Sequence, residues 1–474
     1  MSLHLPFRPA LHLCLAIVAV CCQATSWAAT PNPCATSHKV VFYNNDFSYL
    51  NDPCYCGDCL GDCMKQMRID PCGHWGKLDI GGQLRLRYHH EDGMGRQPGV
   101  SGFNDTKNDF LLTRLRLYTN WEKDWLRVYA EGITAEVTAN DLYVPRPIDI
   151  NAADFLNLFA DVAVTDSLTV RVGRQELLYG VQRHVSPLDW ANTRRTFSGV
   201  KLMYTGDTWN VDGFFTNYVP VDPYAFDEPD YQQKFYGIYA TRMAQCGGPN
   251  VDLFYLGYDN DNQYSAPPTI TTAGTADFSV HTFGTRFWGE VEDGWLYEVE
   301  ATLQAGRQSG LGLDHRAGMC TCGFGKKLDM PWSPTIWAYY DFASGNKGDG
   351  SFNRYNQLFP LAHKYLGFID AAQRSNISSP NCLLTMSPSS KWSLLAWYYY
   401  LGADEANDII PFVATPSVQN TDTKYFGHEL DLIATYKFAP SSNVLFGYSN
   451  LWRGSKIIGT NDAHFFYTQW ETNF

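Results

Sequence analysis

The 474-residue chain contains few charged residues, and its acidic residues outnumber its basic ones. Charged residues make up 18% of it, and 36 Lys and Arg face 49 Asp and Glu, which gives a net charge of -13. No run of basic residues interrupts this acidic background. Nucleic acids are bound through clustered cations that neutralise phosphates, so we expect no nucleic-acid partner.

Long apolar runs and catalytic signatures are also scarce. Crossing a bilayer as a helix takes about 20 apolar residues, and no stretch of the sequence reaches that length. The mean hydropathy of -0.28 is too polar for a bundle of membrane helices. The sequence contains no nucleophile elbow, no HExxH motif and no phosphate-binding loop. We therefore predict no enzyme, no catalytic residue and no cofactor.

The N-terminus is predicted to be a secretory signal peptide over residues 1–28. Arg8 is its only fully charged side chain, an apolar stretch covers 11–22, and small residues follow at Ser26, Ala28 and Ala29. This order is typical of a leader cleaved after Ala28. The mature chain is therefore expected to be exported.

Residues 29–75 are rich in turn formers and cysteine and show no long apolar period. Six cysteines here suggest either three disulfides that staple a piece too small for a core or a thiolate site for a soft metal. Export favours disulfides, and we predict no metal. Because the segment precedes the first strand, it should lie on the periplasmic side, as a plug or as a dock for a periplasmic export partner. The cysteines are Cys34, Cys54, Cys56, Cys59, Cys63 and Cys72.

From residue 76 to residue 474 the chain alternates apolar and polar side chains. A period of two indicates strands with one apolar face. In "LLTRLRLYTNW", Leu115 and Leu117 alternate with Arg114 and Arg116. About 18 strands can be marked in this region. The same pattern recurs in "LDIGGQLRLRYHH", "WLRVYAEG", "LYEVEATLQAG" and "GHELDLIATYKF".

The connections between these strands alternate in length. Short polar turns, as at 166–167 and 206–207, are followed by long Gly- and Asn-rich stretches, as at 176–195 and 344–375. This rhythm and an even strand number predict an all-β fold, a transmembrane up-and-down antiparallel barrel with short periplasmic turns and long extracellular loops. The terminal "FFYTQWETNF" fits a closing strand. A secreted sandwich or propeller would also alternate, but it would not explain the turn rhythm.

Arginine recurs on the polar face of these strands. Facing lipid, each arginine would cost about 2–4 kcal/mol near the midplane, which is large against a net stability of about 5–15 kcal/mol. With Leu, Val and Tyr toward lipid, strand parity turns the arginines toward the lumen. A wet lumen lined by guanidinium groups is an anion path, because Arg holds a carboxylate through two parallel hydrogen bonds. The residues are Arg85, Arg87, Arg114, Arg116, Arg127 and Arg171.

Residues 171–202 concentrate further positive charge, with Glu176 and Asp189 as the two carboxylates. Acids on the lumen faces should pair with some arginines and prevent the path from trapping its cargo. The alternative is that Arg–Glu ladders only brace the wall. The cations of this stretch are Arg171, Arg174, Arg183, Arg194, Arg195 and Lys201. The predicted lumen acids are Glu131, Glu176, Asp189, Glu298, Glu300, Glu429 and Asp431.

The run "RVGRQELLYGVQRHVSPLDWANTRRTFSGVKL" resembles a motif of the alginate-export family of outer-membrane channels. The run "YYDFASGNKGDGSFNRYNQLFPLAHKYLGFID" resembles a second motif. The resemblance covers about residues 76–474 and implies an 18-stranded monomeric barrel whose electropositive constriction passes an anionic uronate polymer or small anions. The motif positions it carries over are Arg171, Arg174, Gln175, Glu176, Arg183, Asp189, Arg194 and Arg195.

Arg174 shares the parity of Val172, so it requires either a bulge near Gly173 or a position above the membrane. The sequence departs from the family pattern in its cysteines, which occur in the cysteine-rich segment and at Cys320 and Cys322.

The expected function is a passive channel, a porin of the bacterial outer membrane that passes anionic saccharides, such as alginate-like uronates, or other carboxylates. We expect outer-membrane lipid around a monomer. One alternative is a structural or adhesive barrel with a closed lumen. A third hypothesis is an outer-membrane hydrolase whose Ser and His meet only in space.

Overall fold

The computed structural model describes residues 33–474 apart from 58, 140–142, 245–247, 267–271 and 273. The predicted signal peptide, residues 1–28, lies outside the described residues. The described part belongs to one structural unit, Pro33–Phe474. None of its helices is both long enough and apolar enough to cross a membrane.

In the described residues, 18 antiparallel strands form a closed barrel, as predicted. The first and last strands pair, from Gln83 opposite Asn473 to Asp92 opposite His464. Closure is needed because hydrocarbon offers no partner to the N–H and C=O groups of a free sheet edge. The strands are β1 (Lys77–Asp92), β2 (Lys107–Lys123), β3 (Leu126–Ala139), β4 (Asn151–Thr165), β5 (Leu168–Gln175), β6 (Thr196–Thr205), β7 (Trp209–Val219), β8 (Gln233–Arg242), β9 (Asn250–Asn260), β10 (Phe278–Val291), β11 (Trp295–Gln308), β12 (Leu313–Lys327), β13 (Thr335–Ala343), β14 (Ile377–Ser389), β15 (Trp392–Gly402), β16 (Tyr425–Ala439), β17 (Ser442–Arg453) and β18 (Ala463–Asn473).

Short elements surround this wall. The strand Met67–Arg68 pairs with the start of β1, and the strands Val418–Gln419 and Ile457–Ile458 pair with each other. The described 3-10 helices are Pro33–Thr36, Phe42–Asn44, Ser48–Asn51, Asp62–Met64, Glu292–Gly294, Ser309–Leu311 and Ala362–Lys364.

The connections differ at the two ends of the barrel, as the sequence predicts. One end carries short turns such as 166–167 and 440–441, and the other carries loops such as 176–195 and 344–376. The short turn 309–312 lies at the loop end and is an exception. In barrels of this kind the short turns are periplasmic and the long loops are extracellular.

The wall has polar side chains inside and apolar side chains outside. On β2, Arg116 is completely buried, whereas Leu117 is 50% exposed. On β5, Arg171 is buried and Val172 is 54% exposed. Successive strand residues point to opposite faces, so the parity that turns these aliphatic side chains toward lipid turns the arginines inward.

Three segments fold into the lumen. They are the N-terminal segment, residues 33–66, inner loop 1, residues 176–195 between β5 and β6, and inner loop 2, residues 344–376 between β13 and β14. The two loops meet in a short ladder, in which Phe359 N donates to His184 O at 2.9 Å and Ser186 N donates to Phe359 O at 2.8 Å. The lumen is therefore occupied in this conformation, in contrast to the wet path that the strand pattern suggested.

The lipid-facing assignment can be tested with an arginine at Leu117. We expect Leu117→Arg to lower the free energy of unfolding by about 2–4 kcal/mol, the cost of a cation near the midplane. Urea unfolding in lipid vesicles measures this. Asp166→Arg, in a short turn, is the control and should change the stability by no more than about 0.5 kcal/mol. Equal effects of the two substitutions would contradict the assignment.

Candidate functional site: the arginine-lined lumen

Arg85, Arg87 and Arg114 form a cationic strip on the inner faces of β1 and β2. The register places Arg85 directly opposite Arg114, and like charges in that position are destabilising. Inner loop 1 supplies acceptors between them. The Asp189 carbonyl accepts from Arg85 at 2.7 Å and from Arg114 at 3.2 Å. The Asp189 side chain also accepts from Arg114, at 3.0 Å.

Asp189 is the carboxylate around which inner loop 1 docks. Desolvation raises its pKa, but the guanidinium groups of Arg194, Arg114 and Arg85 outweigh that effect and hold the pKa well below its usual range. Arg194 bridges Asp189 and Glu176 through separate nitrogens. These two carboxylates raise the pKa of Arg194 although burial lowers it. Asp189 and Arg194 therefore anchor the loop as charged groups, whereas burial raises the pKa of Glu176.

The N-terminal segment covers further guanidinium groups of the wall. The Phe42 ring lies 3.7 Å from Arg116 Cζ, and the Tyr43 ring lies 4.2 Å from Arg171 Cζ. Both distances are within the range of cation–π contacts. Arg127 donates to Tyr43 O at 2.7 Å. The segment thus occupies guanidinium faces and donors inside the lumen.

Wall carboxylates partner several of the same arginines. Arg116 pairs with Glu131 at 2.6 Å. Arg171 donates two parallel hydrogen bonds to Asp161, at 2.7 and 2.8 Å. This part of the lumen is therefore close to balanced in charge.

At β10 and β11 the arrangement is reversed, because the wall carries the acids and the loop carries the cation. Arg183 of inner loop 1 donates to Glu298 at 2.5 Å and to Glu300 at 2.7 Å. These acids raise the pKa of Arg183 well above its usual value, although burial lowers it. Arg286 shares Glu298 at 2.8 Å. Inner loop 1 is thus held by ion pairs at two separate parts of the wall.

Glu429 and Asp431 differ from the prediction that the lumen acids pair with arginine. In the part of the chain that the structure describes, neither forms an ion pair with an arginine. Glu429 accepts from Ile369 N at 2.7 Å, and Asp431 accepts from Phe368 N at 3.4 Å. A Cβ at Gly367, where φ is 98°, would lie 2.1 Å from Glu429 Oε2, which explains the glycine. These acids anchor the backbone of inner loop 2, where the chain is too close to admit an arginine side chain.

Arg174 does not belong to the lumen set. The β4–β5 register has no bulge at Gly173, so Arg174 keeps the outward parity of Val172. Its guanidinium group donates to Asp154 at 2.9 Å and to Phe155 O at 2.8 Å, toward the loop end of the barrel. The prediction that Arg174 lines the anion path is therefore wrong.

Lys201 and Arg195 remain on the inside. Lys201 pairs with Asp212 at 2.7 Å. Arg195 donates to Pro360 O of inner loop 2 at 3.1 Å. Both are therefore engaged by protein partners in this conformation.

Several partners in the lumen are not among the residues predicted from the sequence. Asp161 lies directly opposite Arg171 in the strand register, and Arg286 alternates with the outward-facing Phe283 and Phe287. For both residues the period of two indicates an inward side chain, but a single charge in an apolar strand is a weak signal. Inner loop 2 also contributes Arg374, which pairs with Asp341 at 2.5 Å. This loop has no period of two, so its sequence does not indicate that Arg374 faces the lumen.

Arg85 and Arg87 stand out because neither forms an ion pair with any described residue, although both are at most 2% exposed. Arg87 Cζ lies 3.7 Å from the ring of Trp190, which stacks on His363 with ring centroids 3.5 Å apart. Arg85 Nε and two nitrogens of Arg87 have no acceptor among the described residues. Such buried donors carry a desolvation cost, so the strip is short of direct ion pairs, although Glu471 lies opposite Arg85 in the strand register.

The cysteine prediction is confirmed for one disulfide, between Cys34 and Cys59. Cys54, Cys56, Cys63 and Cys72 are exposed free thiols, so the expectation of three disulfides is wrong for this structure. These four side chains lie at the surface, and the structure joins none of them in a disulfide.

The family model described as "Alginate export" matches residues 76–467, whereas no curated protein matches the chain. Several solved outer-membrane proteins are similar in fold. A BenF-like porin from Pseudomonas fluorescens Pf-5 has a TM-score of 0.56 and 11% identity, covering 84% of this chain and 98% of that one. Pseudomonas aeruginosa OccD3 (OpdP) has a TM-score of 0.55 and 10% identity, covering 83% and 91%. Pseudomonas aeruginosa OpdK, solved with vanillate, has a TM-score of 0.55 and 10% identity, covering 84% and 98%.

The docking of inner loop 1 should tolerate mild acid. A carboxylate whose pKa is depressed on folding stabilises the folded form above its unfolded pKa of about 3.9 and loses that effect only as the pH falls toward the folded value. Since the pKa of Asp189 is depressed, we expect protection of 188–194, the part of the loop around this carboxylate, from hydrogen exchange to be the same at pH 5 and pH 7. Asp189→Asn should reduce it at both values, whereas Asp166→Asn should not. Loss of protection in the wild type between pH 7 and pH 5 would contradict the assignment.

Proposed function

The chain belongs to the Alginate export family of outer-membrane β-barrel channels, and we propose that its cargo is anionic. The cargo class is an acidic saccharide, such as a uronate polymer, or another carboxylate. Its path runs along the inner arginines, with the strip of Arg85, Arg87 and Arg114 as the central contact. The family and the fold are those of a channel rather than of an enzyme.

The shortage of direct ion pairs at this strip is the observation that carries the proposal. Arg85 and Arg87 form no ion pair among the described residues, and Arg114 shares Asp189 with Arg194. A wall braced only by Arg–Glu ladders would match each cation with an acid, as Arg171 is matched with Asp161. Guanidinium groups held by carbonyl oxygens and an aromatic face can exchange those weaker partners for a carboxylate.

Passage of cargo requires the lumen to open, because three segments fill it in the described conformation. The N-terminal segment is the plug on the periplasmic side in this proposal. It is cross-linked by the Cys34–Cys59 disulfide, and it stacks on Arg116 and Arg171, which lie on the path. The two inner loops close the path from the extracellular side.

The same filling also favours a second candidate, a structural or adhesive barrel whose lumen stays shut. In that case the arginines would serve only to hold the loops, and the surface loops would bind the partner. Electrical recording in planar bilayers separates the two candidates, because a permanently closed barrel carries no current.

The charge of the strip should determine ion selectivity. We expect the double substitution of Arg85→Gln and Arg87→Gln to lower the anion-to-cation permeability ratio several-fold, because the field of two guanidinium groups is removed from a low-dielectric path. Reversal potentials in a salt gradient measure the ratio. Arg307→Gln, at a side chain 56% exposed at the loop end, is the control with unchanged selectivity. Cation selectivity in the wild type would overturn the proposal.

Loosening the plug should raise the open probability. We expect the combined substitutions Phe42→Ala and Tyr43→Ala to lengthen open bursts, because the cation–π contacts with Arg116 and Arg171 and the apolar burial are lost. The control is Phe226→Ala, at a ring 68% exposed in an outer loop. Block of the current by uronate oligomers, compared with neutral oligosaccharides, then reports the cargo class. A variant as silent as the wild type would favour the closed barrel.

A further inference from the structure

The cysteine-rich region contains one cluster of metal-ligating side chains that the channel function does not use. Asp70, Cys72 and His74 each present a ligand atom, and these three atoms lie within 4.8 Å of one another. Cys72 is a free, exposed thiol, and the His74 side chain is 79% exposed. We propose that this cluster binds a soft or borderline divalent metal ion of the Zn²⁺ type at the periplasmic rim.

The backbone around the cluster forms the tip of a hairpin. Met67–Arg68 pairs with Leu78 and Lys77 at the start of β1. Ile69 N then donates to Gly76 O at 3.3 Å, which extends the hairpin to its tip. The tip is also attached to the barrel wall, since Trp121 Nε1 donates to Trp75 O at 2.8 Å.

The sequence "DPCGHW" brings the three ligands to one side of the tip. Gly73 N donates to Asp70 O at 3.0 Å, which closes a tight turn, and Gly73 has a φ of 73° that suits glycine. Asp70 Oδ1 accepts from Trp75 N at 2.8 Å, which fixes the carboxylate. Its other oxygen, Oδ2, lies 3.4 Å from His74 Nδ1. Carboxylate and imidazole are thus already at the separation that a shared metal needs.

The donor set determines the class of metal. Thiolate and imidazole favour Zn²⁺ and other late first-row ions over Ca²⁺ and Mg²⁺, which prefer oxygen ligands. A tetrahedral zinc site holds its ligand atoms about 3.3–3.8 Å apart. From separations of up to 4.8 Å, rotation of two exposed side chains can reach that spacing without moving the backbone. Water can complete the coordination.

The position gives such a site a structural consequence. The hairpin is the connection between the N-terminal segment and β1, so a metal at its tip would stiffen the link that holds the segment to the barrel. The inference does not depend on the nature of the cargo, since it concerns residues outside the lumen.

Co²⁺ is the probe, because thiolate coordination to it produces a charge-transfer band in the near ultraviolet. The full mature protein, with its Cys34–Cys59 disulfide intact, is purified in detergent without reductant and titrated with Co²⁺, and Zn²⁺ is then added in competition. We expect a single equivalent of Co²⁺ to give the band and Zn²⁺ to abolish it. Cys72→Ser should remove the band. His74→Gln and Asp70→Asn should each weaken binding about tenfold or more.

Two controls separate this site from the other thiols and from misfolding. Cys382→Ser, at an exposed cysteine of β14, should bind like the wild type. Heat-dependent electrophoretic mobility verifies that each variant retains the folded barrel. The proposal is overturned if wild-type protein gives no band, or if Cys72→Ser and His74→Gln bind as tightly as wild type. It is also overturned if alkylation and mass spectrometry find Cys72 locked in a disulfide in the protein as isolated.

Discussion

A sheet that crosses a bilayer must satisfy every backbone donor and acceptor within itself, and the rest of this structure follows from that constraint. The pairing of β1 with β18 removes the last free edge. Once the sheet is closed, each strand side chain faces either lipid or the lumen, and the two directions alternate along the strand. Because the side chains of Leu117 and Val172 face lipid, those of the adjacent Arg116 and Arg171 must face the interior.

Bringing so many guanidinium groups into one interior creates a second problem, which is their mutual repulsion. Different partners offset this repulsion in different parts of the wall. Arg171 and Arg116 form ion pairs with carboxylates, and the rings of Tyr43 and Phe42 pack on their guanidinium groups. Arg85 and Arg114 receive the backbone carbonyl of Asp189 instead. The difference between a paired and an underpaired region is what distinguishes a structural ion-pair ladder from a surface that can attract an anion.

The barrel itself could be predicted from the sequence, because alternation and turn rhythm are local signals. The inward side of Arg85, Arg114 and Arg171 follows from them, and so does the strand number. A plug was one of two roles that the sequence suggested for the N-terminal segment. The filling by the inner loops could not be predicted, since inner loop 2 has no periodicity and its contacts join residues far apart in the chain. Arg174 shows the limit within a strand, because its family motif suggested the lumen while its parity indicated the outside. The cysteines show another limit, as their number does not reveal which of them meet in space.

The backbone ladder between His184, Ser186 and Phe359 joins the two inner loops, one from each side of the lumen. Hydrogen bonds of this kind, shielded from water by the rings around Phe359, do not break one at a time without leaving unpaired polar groups. The two loops are therefore coupled, since neither can leave the lumen without breaking the ladder that it shares with the other. Any widening of this part of the lumen must consequently displace both loops together.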